Sequence, residues 1–90
     1  MSQPYLEVTF RRGRAFAAYY HLTDRASGKS FKSHRIEPGL VVDYARTGEP
    51  IGIEITAPSA ITLTALNRVL RNLGATPMKR AEFQPLRVAS

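Results

Sequence analysis

The sequence predicts an α+β domain: an antiparallel sheet of about five strands, arranged as a meander, with one main C-terminal helix packed on one face. Three observations carry this reading. Apolar and polar residues alternate with period two in several segments between residues 5 and 57. Short glycine-bearing turns separate those segments, which makes neighbouring strands antiparallel. After Pro58-Ser59 the period changes, and Leu63, Leu66, Val69, Leu70 and Leu73 recur at helical spacing.

The first strand is Tyr5 to Phe10, with Leu6, Val8 and Phe10 on one side and Glu7 and Thr9 on the other. Arg11-Arg12-Gly13-Arg14 is the turn, where the glycine makes a tight reversal inexpensive. The second strand, Ala15 to Leu22, is apolar on both faces and predicts cover on both sides. Asp24 to Lys29 reads as a hairpin loop, and Ser30 to Ile36 as the third strand, polar enough for an edge. Pro38-Gly39 separates it from the fourth strand, Leu40 to Ala45. A four-residue loop at 45–48 then leads to the fifth strand, Ile51 to Ala57. It would set Val42 opposite Ile51 and Leu40 opposite Ile53, so that the apolar faces coincide.

The helix spans about residues 62–74, with Thr62 as N-cap and Gly74 just past its end; Asn67, Arg68, Arg71 and Asn72 make its polar side. Residues 76–90 form a short C-terminal segment. Pro77 there could open a second short helix anchored by Met78, Phe83 and Leu86. Residues 1–90 are thus read as one small globular domain, with strands over about 5–57.

Composition excludes more functions than it selects. There is no cysteine, so disulfides, thiolate nucleophiles and cysteine zinc sites are out. The longest apolar run, Ala15 to Tyr20, is far short of the roughly 18 residues of a membrane span. No secretory signal pattern is visible, so the expected setting is the cytoplasm, with no membrane partner.

The hairpin Glu37-Pro38-Gly39-Leu40-Val41-Val42-Asp43-Tyr44, a glycine turn, then Ile51-Gly52-Ile53-Glu54-Ile55 resembles a small bacterial family of unknown function, numbered 2283 among domains of unknown function. Ala17-Ala18-Tyr19-Tyr20-His21-Leu22 is similar to an upstream strand of that family, so the resemblance covers about residues 5 to 57. It departs at the turns. The family's acidic first turn is Arg11-Arg12-Gly13-Arg14 here, and its acidic second turn is Ala45-Arg46-Thr47-Gly48. The resemblance implies a compact α+β fold with no assigned activity. Because some members sit beside toxin-like RNase genes, it also implies an antitoxin-like role with a toxin-like protein partner.

No catalytic constellation is legible. Asp43 and Glu54 share one face of a hairpin and could form a carboxylate pair for acid–base work or a metal, but hydrogen bonds to turn amides or arginines account for them as well. The register above sets Asp43 opposite Pro50 and Glu54 opposite Gly39. His21 and His34, on candidate neighbouring strands, would need Asp24 or Glu37 to complete a zinc site, and no metal-ligand spacing supports one. Ser27, Ser30, Ser33 and Ser59 lack a nucleophile setting. Gly28-Lys29-Ser30 lacks the leading glycine of a phosphate loop, because position 23 is Thr. No cofactor, metal or enzymatic activity is expected.

The net charge is +6, and it is unevenly spread. Residues 1–35 carry seven Lys or Arg against Glu7 and Asp24, whereas residues 36–57 carry Arg46 against four carboxylates. A basic N-terminal sheet region with interleaved aromatics could bind nucleic acid through Arg11, Arg12, Arg14, Lys29, Lys32 and Arg35. The bland reading is a solvated surface. One helix covers only one face of such a sheet, so the other is expected to present Ala15, Ala17, Tyr19 and Val41. The leading expectation is therefore a small non-enzymatic interaction module that forms a homodimer through that face, with a nucleic-acid-binding or antitoxin-like regulator as the alternative.

Overall fold

A computed structural model describes residues 4–23 and 30–87. Five antiparallel strands form one sheet: β1 (Tyr5–Arg11), β2 (Arg14–His21), β3 (Lys32–Glu37), β4 (Leu40–Tyr44) and β5 (Pro50–Ile55). Helix α1 (Leu63–Asn72) and a single-turn helix α2 (Arg80–Phe83) follow, with 3₁₀ turns at Pro58–Ala60 and Gln84–Arg87.

The strands are ordered β1-β2-β5-β4-β3. The meander runs through β3, β4 and β5, and β5 then pairs with β2 instead of lying at the far edge. Hydrophobicity explains the order. The isoleucine-rich β5 takes the centre, while β3, almost wholly exposed, takes an edge. Asp24–Lys29, read as a hairpin loop, lies outside the described residues; the strands on either side of it are not neighbours. His21 and His34 are therefore separated by two strands.

The β4–β5 register differs from the sequence expectation by two residues. Val42 opposes Ile53, Leu40 opposes Ile55, Asp43 opposes Gly52 and Val41 opposes Glu54. The link is longer than expected, running from Ala45 to Glu49, and a bulge lies beside it, where Asp43 pairs with Gly52 and Tyr44 with Pro50 so that Ile51 of β5 is the extra residue. A shift of two preserves which side chains share a face, so the apolar faces still coincide.

Leu40, Val42, Ile53, Ile55, Ala18 and Tyr20 meet Leu66, Val69 and Leu70 of α1 in one core. Ile51, expected in that contact, is buried at the bulge but lies outside the cluster. Thr62 caps α1, its hydroxyl accepting from the Ala65 N–H at 3.0 Å. The helix ends in a Schellman motif, with Ala75 N–H donating to Leu70 C=O and Gly74 N–H to Arg71 C=O.

Asn67, assigned by spacing to the polar side of α1, is buried. Its amide oxygen accepts from Met78 N–H at 2.7 Å, and its amide nitrogen donates to Met78 C=O at 3.0 Å. Both backbone groups of Met78 are thereby held outside any helix, which is why Pro77 does not start one. Helix α2 begins instead after Lys79, whose N–H donates to the Glu82 carboxylate at 2.7 Å. Met78, Phe83 and Leu86 are the anchors of this segment, and they join the same core as α1. The Tyr20 hydroxyl is held above its ordinary pKa, by burial first and then by the charge of Glu82, consistent with the segment's packing beside β2. All helical cover of the described chain thus lies on one side. The second strand is covered on one face only, with Ala17, Tyr19 and His21 half-buried on the other and Phe16 exposed.

Candidate functional site: the open face of the sheet

Register places two rows of side chains across the uncovered face. One row reads Glu7, Tyr19, Glu54, Val41, Arg35, and the next reads Tyr5, His21, Gly52, Asp43, Ser33. The two rows connect diagonally. Tyr19 leans across Gly52 and donates its hydroxyl to Asp43 at 3.0 Å. A side chain at position 52 would collide with the end of that ring, so the glycine is there for close approach. Ser33 donates to the other Asp43 oxygen at 2.6 Å. Asp43 is 4% exposed, and these hydroxyls, rather than turn amides or arginines, are what it bonds.

A second cluster adjoins the first. His21 lies 2.8 Å from Glu7 and stacks on Tyr5, with ring centroids 4.2 Å apart and planes 8° from parallel. The edge of the Tyr19–His21 pair, at 4.6 Å, links the two clusters. The face is therefore a continuous polar and aromatic surface carrying three carboxylates.

Electrostatics favour protonated groups at its centre. The Tyr19 hydroxyl is pushed far above its usual pKa by burial, by its bond to Asp43, and by the charges of Asp43 and Glu54. Tyr19 is thus a fixed donor. The Glu54 carboxyl is also raised, by burial first, then by its hydrogen bond to Asp43 and the charge of that carboxylate. The folded chain therefore holds the Glu54 proton over a pH window that begins near the ordinary glutamate value of about 4.3 and extends upward. Stability from this group is complete below the window and is lost as pH rises through the folded-state value. Glu54→Gln mimics the protonated form. In thermal melts from acid to neutral pH, the wild type is expected to lose stability relative to this variant as pH rises. Parallel profiles would show that the fold does not hold the Glu54 proton.

The remaining sequence candidates are dispersed. Ala17, Tyr19 and Val41 lie on the open face, whereas Ala15 pairs with Phe10 at a β-bulge and lines a cleft at the β1–β2 turn. Arg11, Arg12 and Arg14 line that cleft too. Lys32 sits on the opposite edge in a groove with Phe31, His34 and Arg46, and Arg35 ends a row of the open face. Lys29 lies outside the described residues. The basic candidates thus form no single positive sheet surface, and the open face is acidic at its centre. Glu37 pairs with Arg68 at 3.0 Å, and the described residues hold no group of three or more His, Asp or Glu suited to a metal.

The Tyr19–Asp43–Ser33 network was not legible in advance, because it requires β2 beside β5. Face parity alone did put Tyr19 and Val41 on one side, and Asp43 with Glu54. Among the described residues, no helix is long and apolar enough to cross a membrane. No family model, curated protein or solved structure matches the chain, so the likeness of residues 5–57 to a bacterial family stays an expectation carried by the β4–β5 hairpin.

Proposed function

We propose that the protein is a small, non-enzymatic, cytoplasmic interaction module that self-associates by stacking the open faces of two sheets about a two-fold axis. One-sided cover is the observation that supports this reading. Among the described residues, the C-terminal segment does not close this face within one chain: Met78, Phe83 and Leu86 pack with α1 on the other side. Ala17, Tyr19 and Val41 are left half-buried around a network that is already satisfied internally. Such a surface can be desolvated at little cost, because Asp43 keeps its two donors when water leaves.

Charge complementarity favours a second copy as the occupant. The row from Glu7 to Arg35 begins with a carboxylate and ends with a guanidinium. A two-fold axis near its middle brings Arg35 of one copy toward Glu7 of the other, with Glu54 close to the axis.

Sedimentation tests the reading. The wild type is expected to sediment as a dimer at high micromolar concentration, and Ala17→Glu as a folded monomer, since a carboxylate would be buried at the seam. A wild type that stays monomeric at that concentration would remove the proposal.

A further inference from the structure

The β1–β2 turn concentrates positive charge in a way the fold does not need. Arg11 stands directly opposite Arg14 as a cross-strand pair, an unfavourable arrangement for like charges. Between them Arg12 takes φ 53 and Gly13 φ 78, the positive-φ pattern of a type I′ turn. Asn, Asp or Gly enter that first position at lower cost than arginine. The cleft beneath, walled by Phe16 and by residues Thr56 to Ser59, has a volume of about 1060 Å³ and is lined by no carboxylate among the described residues. The ion pairs formed among the described residues, His21–Glu7 and Arg68–Glu37, leave these three arginines without an acidic partner. The Arg11 guanidinium carbon sits 4.3 Å over the Phe16 ring centre, and Phe16 is 51% exposed. Phe10, on the paired strand, is 48% exposed.

We propose that this cleft binds single-stranded nucleic acid, with consecutive phosphates on Arg11, Arg12 and Arg14 and an unstacked base on the Arg11–Phe16 platform. Three guanidiniums with no acidic partner among the described residues are suited to phosphates, which they hold in bidentate geometry. A planar platform beside them adds affinity only for a ligand that carries rings, which distinguishes a nucleic acid from an acidic peptide. A duplex keeps its bases stacked inside and cannot use the platform. Glu7 and Asp43 on the open face disfavour a phosphate chain there, so the footprint is confined to the turn. This inference does not depend on self-association.

The test is fluorescence anisotropy of the full chain with a short labelled oligothymidylate over a range of salt. Three phosphate contacts predict a slope of log affinity against log salt near −2, or roughly a 20-fold loss from about 50 to 200 mM. Arg12→Ala is expected to make the slope shallower by about 0.7, and replacing all three arginines by alanine to abolish binding. Phe16→Leu is expected to weaken binding by roughly 5-fold or more with the slope unchanged, because stacking releases no counterions. Circular dichroism of each variant checks that the fold is intact. The proposal is overturned if the triple variant binds like the wild type. It also fails if polyglutamate competes as well as the oligonucleotide, if a duplex of equal length binds more tightly, or if no binding occurs at low salt.

Discussion

Leu66→Ala is expected to lower the melting temperature by about 10–30 °C. Leu66 is fully buried, and the core it joins draws residues from three strands, α1 and the C-terminal segment. Removing three carbons there loses their transfer free energy and opens a cavity among β-branched side chains that cannot easily collapse into it. Together these cost about 2–5 kcal/mol. A domain of this size has only about 5–10 kcal/mol to lose, so the variant is expected to populate unfolded chain near body temperature. Thermal melting by circular dichroism reads the shift, with exposed Thr64→Ala as the control, expected to change stability by no more than about 0.5 kcal/mol. A Leu66→Ala melt within a few degrees of wild type would mean that α1 does not close this core.

That leucine was legible in the sequence because helical periodicity is local. The same holds for the Thr62 cap, for the end of α1 at Gly74, and for strand faces alternating with period two. Each depends on residues a few positions apart. The pairing of β2 with β5 joins residues more than thirty positions apart, and no turn between them sets their register. Asn67 was misread for a related reason. Its polarity matches solvent as well as it matches the backbone of Met78, and only the return of the chain decides between them. The open-face network inherits the same limit, since Tyr19 and Asp43 come together only when β5 lies between their strands. By contrast, the arginine turn was visible at once, because four consecutive residues make it. What the sequence could not supply was its separation from Lys32 and Arg35, which depends on strand order.

Gly52→Ala is expected to destabilise the fold by about 2–4 kcal/mol, although alanine ordinarily improves a strand that holds glycine. Position 52 is buried on the central strand, and a methyl group there would meet the Tyr19 hydroxyl and the adjoining ring atoms. The ring must swing away. Asp43, 4% exposed, then keeps Ser33 as its hydroxyl donor but loses Tyr19, and an under-satisfied buried carboxylate is costly. Tyr19→Ala removes the obstacle along with the bond, so a double-mutant cycle separates the two causes. In the Tyr19→Ala background the cost of Gly52→Ala is expected to vanish or reverse, by about 0.5–1 kcal/mol in favour of alanine, because the entropic disadvantage of glycine is then the only term left. Urea titrations of the four proteins measure this directly. Equal costs in both backgrounds would mean that the substitution acts through the β5 backbone, and that the Tyr19 ring does not lie across the glycine to reach Asp43.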